Sequence, residues 1–376
     1  MTGIISVFLY VLVLYTCTHQ LAYWTELKID WRKLFMKKLL SIIMVLTLVL
    51  SLAACGKSTP TTADATKTPE ATKKAEATKA PDKSKKIVVG VVQTNANESD
   101  WRTANTKSFN SAFAEAGFDI KMVFGEGDHA KQISQAQQLI QEEVDYLVVL
   151  GLQSAGWEDV AKAAKTAGIP FIMADRKLDL SEDLYTAMVC SDFEAEGVKA
   201  VDWLKSQSIK DGQIVVLGGD TGSSAQLGRS KAIEDGAKAN GWKIVFNQNM
   251  KGWDETLAKQ AVADLIASKT KFNVVYAEND NMARGACDAM DAAGIKYGKD
   301  GDVKVIAFDA NKWALQKVLE GKFNLDVECN PLHGPRIVEL INKLEAGETV
   351  EKNAYVKEEM FDCATITKAI VDARAY

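Results

Sequence analysis

Acids, amides, arginines and tryptophans recur at one kind of place in this chain, just past a short apolar run. Lys86–Val92 leads into Glu98-Ser-Asp-Trp101-Arg102, and Phe171–Ala174 leads into Asp175-Arg176. Gln213–Leu217 leads to Arg229, and Lys243–Phe246 to Gly252-Trp253-Asp254. Asn273–Tyr276 is followed by Glu278-Asn279-Asp280, and Val303–Phe308 by Asp309. A sugar needs that mixture. Its hydroxyls both donate and accept, so Asp, Asn and Arg, whose planar groups bond two neighbours at once, suit it. The C–H faces of its ring pack on aromatic faces, which Trp101 and Trp253 offer. Each residue also has a plainer role: Trp101 can cover a helix, Asp175-Arg176 can be a surface ion pair, and Asn279 can cap a helix. Their joint occurrence in both halves of the chain favours the sugar site.

The elements that position these residues follow from periodicity. The apolar runs, with Asp119–Phe124 and Tyr146–Leu150 added, have strand length and alternate with amphipathic stretches of helical length. Phe109, Ala112, Phe113 and Ala116 recur at helical spacing before Gly117 ends that helix. Ile133–Gln141 reads as the next helix, and one from Trp157 stops at Gly168-Ile-Pro170. Such alternation predicts an α/β fold of two similar doubly wound parallel-sheet lobes with right-handed crossovers. Ligands in this architecture bind outside the carboxyl ends of the strands.

Composition excludes several classes. A formal charge of −5 gives no basic surface for nucleic acid. Cys190, Cys287, Cys329 and Cys363 show no paired spacing, and only His129 and His333 lie in the same region, so no metal site is expected. No phosphate-cradling loop and no Gly-x-Ser-x-Gly motif is present. The chain reads as a binding protein without catalytic residues or cofactor, not as an enzyme.

The first 86 residues read differently. Met36-Lys37-Lys38 opens a signal peptide over 36–54, whose apolar run from Leu39 to Leu50 is too short to span a bilayer comfortably. Leu52-Ala-Ala-Cys55 resembles the lipobox of bacterial lipoproteins, in which Cys55 would carry lipid and begin the mature protein. Residues 1–35 precede a complete signal-peptide start and are expected not to belong to the protein. From 56 to 86 the chain holds no Ile, Leu, Val or aromatic residue, so it predicts an unfolded tether, with 55–86 as the lipid-anchored linker.

From about Ile87 to Tyr376 the chain resembles the type I periplasmic-binding-protein superfamily, in its sugar-binding branch. The resemblance rests on Glu98-Ser-Asp-Trp-Arg102, Gly156-Trp157-Glu158, Asp175-Arg176, Ala277-Glu-Asn-Asp-Asn-Met282 with Gly285, Phe308-Asp309 and Glu328-x-x-Pro331 before Gly334-Pro335. Galactofuranose-binding members match better than ribose-binding ones, which usually place Gln where Cys329 stands. The resemblance implies Trp101 and Trp253 on the two faces of a ring. Arg102, Asp175 and Arg176 would bind hydroxyls from one lobe, and Arg229, Asn279 and Asp309 from the other, with Glu98 and Glu328 as further candidates. It also implies a three-strand hinge near Cys190, Glu328–Asn330 and Glu359–Cys363, giving a first lobe of 87–190 plus 328–357 and a second of 191–327 plus 358–376. Packing thiols near that hinge are expected, with a Cys190–Cys329 disulfide as the alternative. The implied function is a monomeric, membrane-anchored extracytoplasmic protein that hands a galactofuranose-, galactose- or ribose-like monosaccharide to an ABC permease. The alternative is a sugar-sensing subunit that presents it to a chemoreceptor or sensor kinase.

Overall fold

The structure, a computed structural model, describes residues 86–209 and 211–376. The leader, Cys55 and the tether lie outside the described residues. Two six-stranded sheets organise the rest. The first takes β1 (Val88–Gln93), β2 (Asp119–Phe124), β3 (Tyr146–Val149), β4 (Phe171–Asp175), β5 (Ala187–Cys190) and β11 (Asn353–Tyr355) in the order β11-β5-β4-β3-β1-β2. The second takes β6 (Gln213–Gly218), β7 (Lys243–Asn249), β8 (Val274–Ala277), β9 (Lys304–Asp309), β10 (Leu325–Glu328) and β12 (Met360–Asp362) in the order β12-β10-β9-β8-β6-β7. All pairings are parallel except β10 with β12. The chain thus builds the expected two-lobed α/β fold.

The helices are α1 (Asp100–Ala116), α2 (His129–Gln141), α3 (Glu158–Ala167), α4 (Phe193–Ser206), α5 (Ser224–Asn240), α6 (Glu255–Ala267), α7 (Asp280–Ala292), α8 (Lys312–Leu319), α9 (His333–Glu345) and α10 (Lys368–Ala373). Strand residues alternate between two helical layers, as the pleat requires. In β1, Val89 and Val91 join Phe109 and Phe113 of α1 and Ile337 and Ile341 of α9, while Val92 faces Leu139 of α2 and Val160 of α3. In β6, Ile214 and Val216 meet Ala200 of α4 and Ile233 of α5, while Val215 and Leu217 meet Val262 of α6 and Met282 of α7. Caps fix the helix ends. Ser99 Oγ accepts the Arg102 N–H at the start of α1, and Gly117 closes it at a φ of 75°, a backbone conformation that costs glycine little.

Two boundaries differ from the sequence reading for physical reasons. Strand β7 continues past Phe246 through Asn247-Gln248-Asn249, because an edge strand can expose polar side chains while its backbone still pairs with β6. Helix α2 begins at His129, four residues before its apolar stripe, because the Asp128 carboxylate accepts the Lys131 N–H and caps a polar first turn.

The chain passes between the sheets three times: from β5 into α4, from β10 into α9, and from β11 into β12. Cys190, Cys287, Cys329 and Cys363 are free thiols, so no disulfide joins Cys190 to Cys329. Among the described residues no helix is long and apolar enough to cross a membrane.

Candidate functional site

The carboxyl ends of both sheets meet at one cavity, with about 310 Å³ of empty space. It brings together nine of the ten residues expected from sequence: Glu98, Trp101, Arg102, Asp175, Arg176, Arg229, Trp253, Asn279 and Asp309. Ser99, Phe193, Ala225 and Cys329 complete the lining. The sequence points to Cys329 as a departure from ribose binders and as a thiol near the hinge, not as part of the cavity lining. Phe193 was missed, although an aromatic opening the helix that follows a strand end is a readable signal.

Asp175 and Asp309 hold equivalent places, at the ends of the third strands from corresponding edges of the two sheets. Both have positive φ, 64° and 110°. That region is unfavourable for most side chains, and such backbone strain gathers at functional sites.

Arg102 is the anchor of one side. Its Nε donates to Glu98 Oε1 at 2.9 Å, Nη1 to Gln93 Oε1 at 3.0 Å and Nη2 to Asp175 Oδ2 at 3.2 Å. Burial alone would lower the basicity of this guanidinium, but Glu98 and Asp175 outweigh it and raise it. Arg176 is less well neutralised. Its Nη1 donates to Gly151 O at 3.3 Å, its Nε stands 3.6 Å from Asp175, and burial, then Arg102, shift its basicity downward.

On the other side Arg229 donates from Nε to Glu196 Oε2 at 2.8 Å and from Nη1 to the Glu278 carbonyl, and Nη2 stands 3.9 Å from Asp309. Burial opposes its charge, but the surrounding groups, Glu196 foremost and Asp309 among them, together outweigh it and raise it. Asn279 combines its two readings. Its Oδ1 accepts the Met282 N–H at 2.8 Å and caps α7, while the residue also lines the cavity.

Both expected tryptophans are present. Trp101 donates from Nε1 to Cys329 O at 2.6 Å, and Arg102 Cζ lies 4.5 Å from its ring centre. Trp253 is presented by a tight turn with φ of 73° at Gly252 and 56° at Trp253. Its indole lies so close over Gly219 that a Cβ there would come within 2.1 Å. The Trp253 Nε1–H is buried and meets no acceptor among the described residues.

Glu328 is the exception, lying outside the cavity lining. Its Oε1 accepts from Arg374 Nη1 at 2.6 Å and the Tyr376 hydroxyl at 2.8 Å, and its Oε2 from the Glu359 N–H at 3.0 Å. Those bonds tie the C-terminal segment to β10 and leave the carboxylate committed. Against the burial that would raise it, they hold Glu328 below the usual carboxylate range.

The family model "Periplasmic binding protein domain" matches residues 89–331. A fructose import binding protein of Bifidobacterium longum is 28% identical, covering 90% of this chain and 99% of its own length. A galactofuranose-binding protein of Escherichia coli is 29% identical over 73% of this chain and 87% of its own. A solved structure from Mycobacterium smegmatis in complex with β-D-fucofuranose is 37% identical, with a TM-score of 0.69, covering 74% of this chain and 92% of that one. Two parallel sheets converging on one polar cavity, and matches of this extent, lead to one conclusion: the chain belongs to the periplasmic-binding-protein family, type I, related to fructose-, galactofuranose- and ribose-binding proteins, and is a solute-binding protein rather than an enzyme.

Proposed function

We propose that this protein is an extracytoplasmic lipoprotein, anchored through Cys55, that captures a monosaccharide in the cavity and delivers it to an ABC importer. Galactofuranose, galactose and ribose define the class of ligand, and the galactofuranose-binding and fucofuranose-bound relatives favour a furanose ring. The carrying observation is the lining itself. Three arginines, two aspartates and Asn279 stand around a small cavity with a tryptophan from each half. In this reading Arg102, Asp175 and Arg176 bind hydroxyls from a first lobe of 87–190 plus 328–357. Arg229, Asn279 and Asp309 do so from a second lobe of 191–327 plus 358–376, and the indoles of Trp101 and Trp253 cover the ring. Glu98 acts by orienting Arg102.

Closure around the sugar supplies the contacts that favour the loaded form. A thermal-shift screen of the purified protein against common sugars, furanose forms included, tests the ligand class, followed by calorimetry on hits. Trp253→Ala should weaken binding more than Trp242→Ala, because Trp242 packs in the core against Ile214 and Ile233 and donates to Ile209 O. Equal tolerance of both substitutions, with no decrease in radius of gyration on binding, would refute the two-lobed clamp.

A further inference from the structure

Next to the cavity, where the chain passes between the sheets, lies a buried polar cluster that sugar contact does not explain. Glu196, in the first turn of α4, is 1% exposed. Its Oε2 receives Arg229 Nε and Nη2 at 2.8 and 2.7 Å, while its Oε1 meets no N–H or hydroxyl donor among the described residues. A carboxylate oxygen of Glu358, on the third passage, lies within 4.8 Å of a Glu196 oxygen and of Cys329 Sγ. Glu358 Oε1 also accepts from Ser191 Oγ on the first passage at 2.7 Å and from the Asn330 N–H on the second at 2.8 Å. One carboxyl therefore joins all three passages, and its neighbour holds an arginine of the cavity.

Two bare carboxylates held this close, Glu196 buried and Glu358 partly buried, would repel, and a proton between them removes the conflict. Burial, and for Glu196 the charge of Glu358 as well, raises both acids. The other groups facing the pair are few. Arg229 of α5 is the cation in contact, with Asp309 of β9 beyond it. Lys199 of α4 turns its Nζ to the Glu358 carbonyl at 2.7 Å. The Tyr276 hydroxyl of β8 donates to Arg229 O at 2.9 Å, and Asp175 of β4 acts on the Cys329 thiol. Burial pushes that thiol well up, so it keeps its proton, and Arg229 already occupies one side of Glu196. Both features disfavour a metal in this cluster.

We propose that Glu196 and Glu358 share one proton at neutral pH and act as a positioning pair, setting Arg229 in the cavity and holding the three passages together. This rests on the sugar-binding reading for its effect on affinity. When the proton leaves at alkaline pH, the pair repels, Arg229 loses its fixed place and binding weakens.

The test compares wild type with Glu358→Gln, whose amide can donate to Glu196 without a shared proton, and with Glu358→Ala. A group whose folded pKa is raised gives stability that is complete below its ordinary pKa and is lost as pH rises through the folded value. The melting temperature of ligand-free wild type should therefore fall relative to Glu358→Gln as pH rises from the ordinary carboxyl range, about 4 to 5, into the alkaline range. With methyl β-D-galactofuranoside and D-fructose as calorimetric probes, wild-type affinity should fall about tenfold over the alkaline part of that rise. Glu358→Gln should stay flat, and Glu358→Ala should be weak throughout. Parallel melting profiles for wild type and Glu358→Gln would overturn the proposal. So would a stoichiometric divalent metal in the purified protein whose chelation lowers the wild-type melting temperature alone. Diverging profiles with no binding of any sugar would uphold the pair and refute the sugar reading.

Discussion

The two sides of the cavity manage charge in different ways. On the first, Arg102 and Arg176 meet Glu98 and Asp175, two cations beside two carboxylates. On the second, Arg229 alone meets Glu196 and Asp309, and the buried acids Glu278, Asp280 and Asp326 lie behind them. Burial pushes Glu278 up to about 7 and Asp326 up to about 8, and drives Asp280 and Asp309 well above the usual carboxylate range. Among the described residues Asp280 Oδ1 and Asp326 Oδ2 meet no N–H or hydroxyl donor, as two carboxyls do when they hold one proton between them. Their outer oxygens accept the Asn311 and Ala310 N–H groups at 2.9 and 3.1 Å, which fixes the turn that presents Asp309. One side balances charge with charge. The other stores protons, which makes it the side that alkali should loosen.

The largest effect should come from Arg229→Ala. It strands Glu196 and Asp309, and losing one partner of a buried pair costs about 3–5 kcal/mol of stability. Arg176→Ala should leave stability much closer to wild type, because Arg176 has weaker partners and sits beside the like charge of Arg102. Both should lose roughly ten- to a hundredfold in sugar affinity, from charge-assisted bonds of about 1.5–3 kcal/mol. Denaturant melts and calorimetry separate the two quantities. Equal stability losses would break the contrast between the sides.

Asp326→Asn should come next. The raised pKa of Asp326 makes it a source of stability that is full below the ordinary carboxyl range and drains away as pH rises through about 8. Asparagine removes that drain, so the variant should gain on wild type as pH rises from about 4 to about 8 in ligand-free melts and hold that gain above it. A variant curve parallel to wild type would mean that Asp280 and Asp326 share no proton.

The smallest effect belongs to a contact that spans both sides. Asp100 accepts from Trp313 Nε1 at 2.9 Å and Asn281 Nδ2 at 3.3 Å, with Arg284 at 3.7 Å. The Asp100 side chain is 48% exposed, so Asp100→Ala should cost no more than about 1 kcal/mol of affinity, and less in high salt. A larger, salt-independent loss would place the main closing force at the rim of the cavity rather than within it.

What was legible in the sequence was local. Apolar alternation located β1 and β6, Gly117 and Gly168 marked helix ends, and the polar and aromatic residues past the apolar runs include nine of the thirteen that line the cavity. What was hidden depends on distant partners. Nothing around Glu328 shows that Arg374 and Tyr376 will occupy its carboxylate, and nothing near Glu196 points to Arg229 or Glu358. Three-residue β11 carried no pattern of its own, because it becomes a strand only by lying beside β5.

That short strand has a counterpart in the second sheet. Residues 353–355 add the last strand of the first sheet and 360–362 that of the second, all within the ten residues 353–362. Without them β5 and β10 would stand at those edges of the two sheets, each four residues long and offering unpaired backbone to another strand. Adding residues 353–362 replaces those edges with the three-residue strands β11 and β12, and very short edge strands limit pairing with other chains.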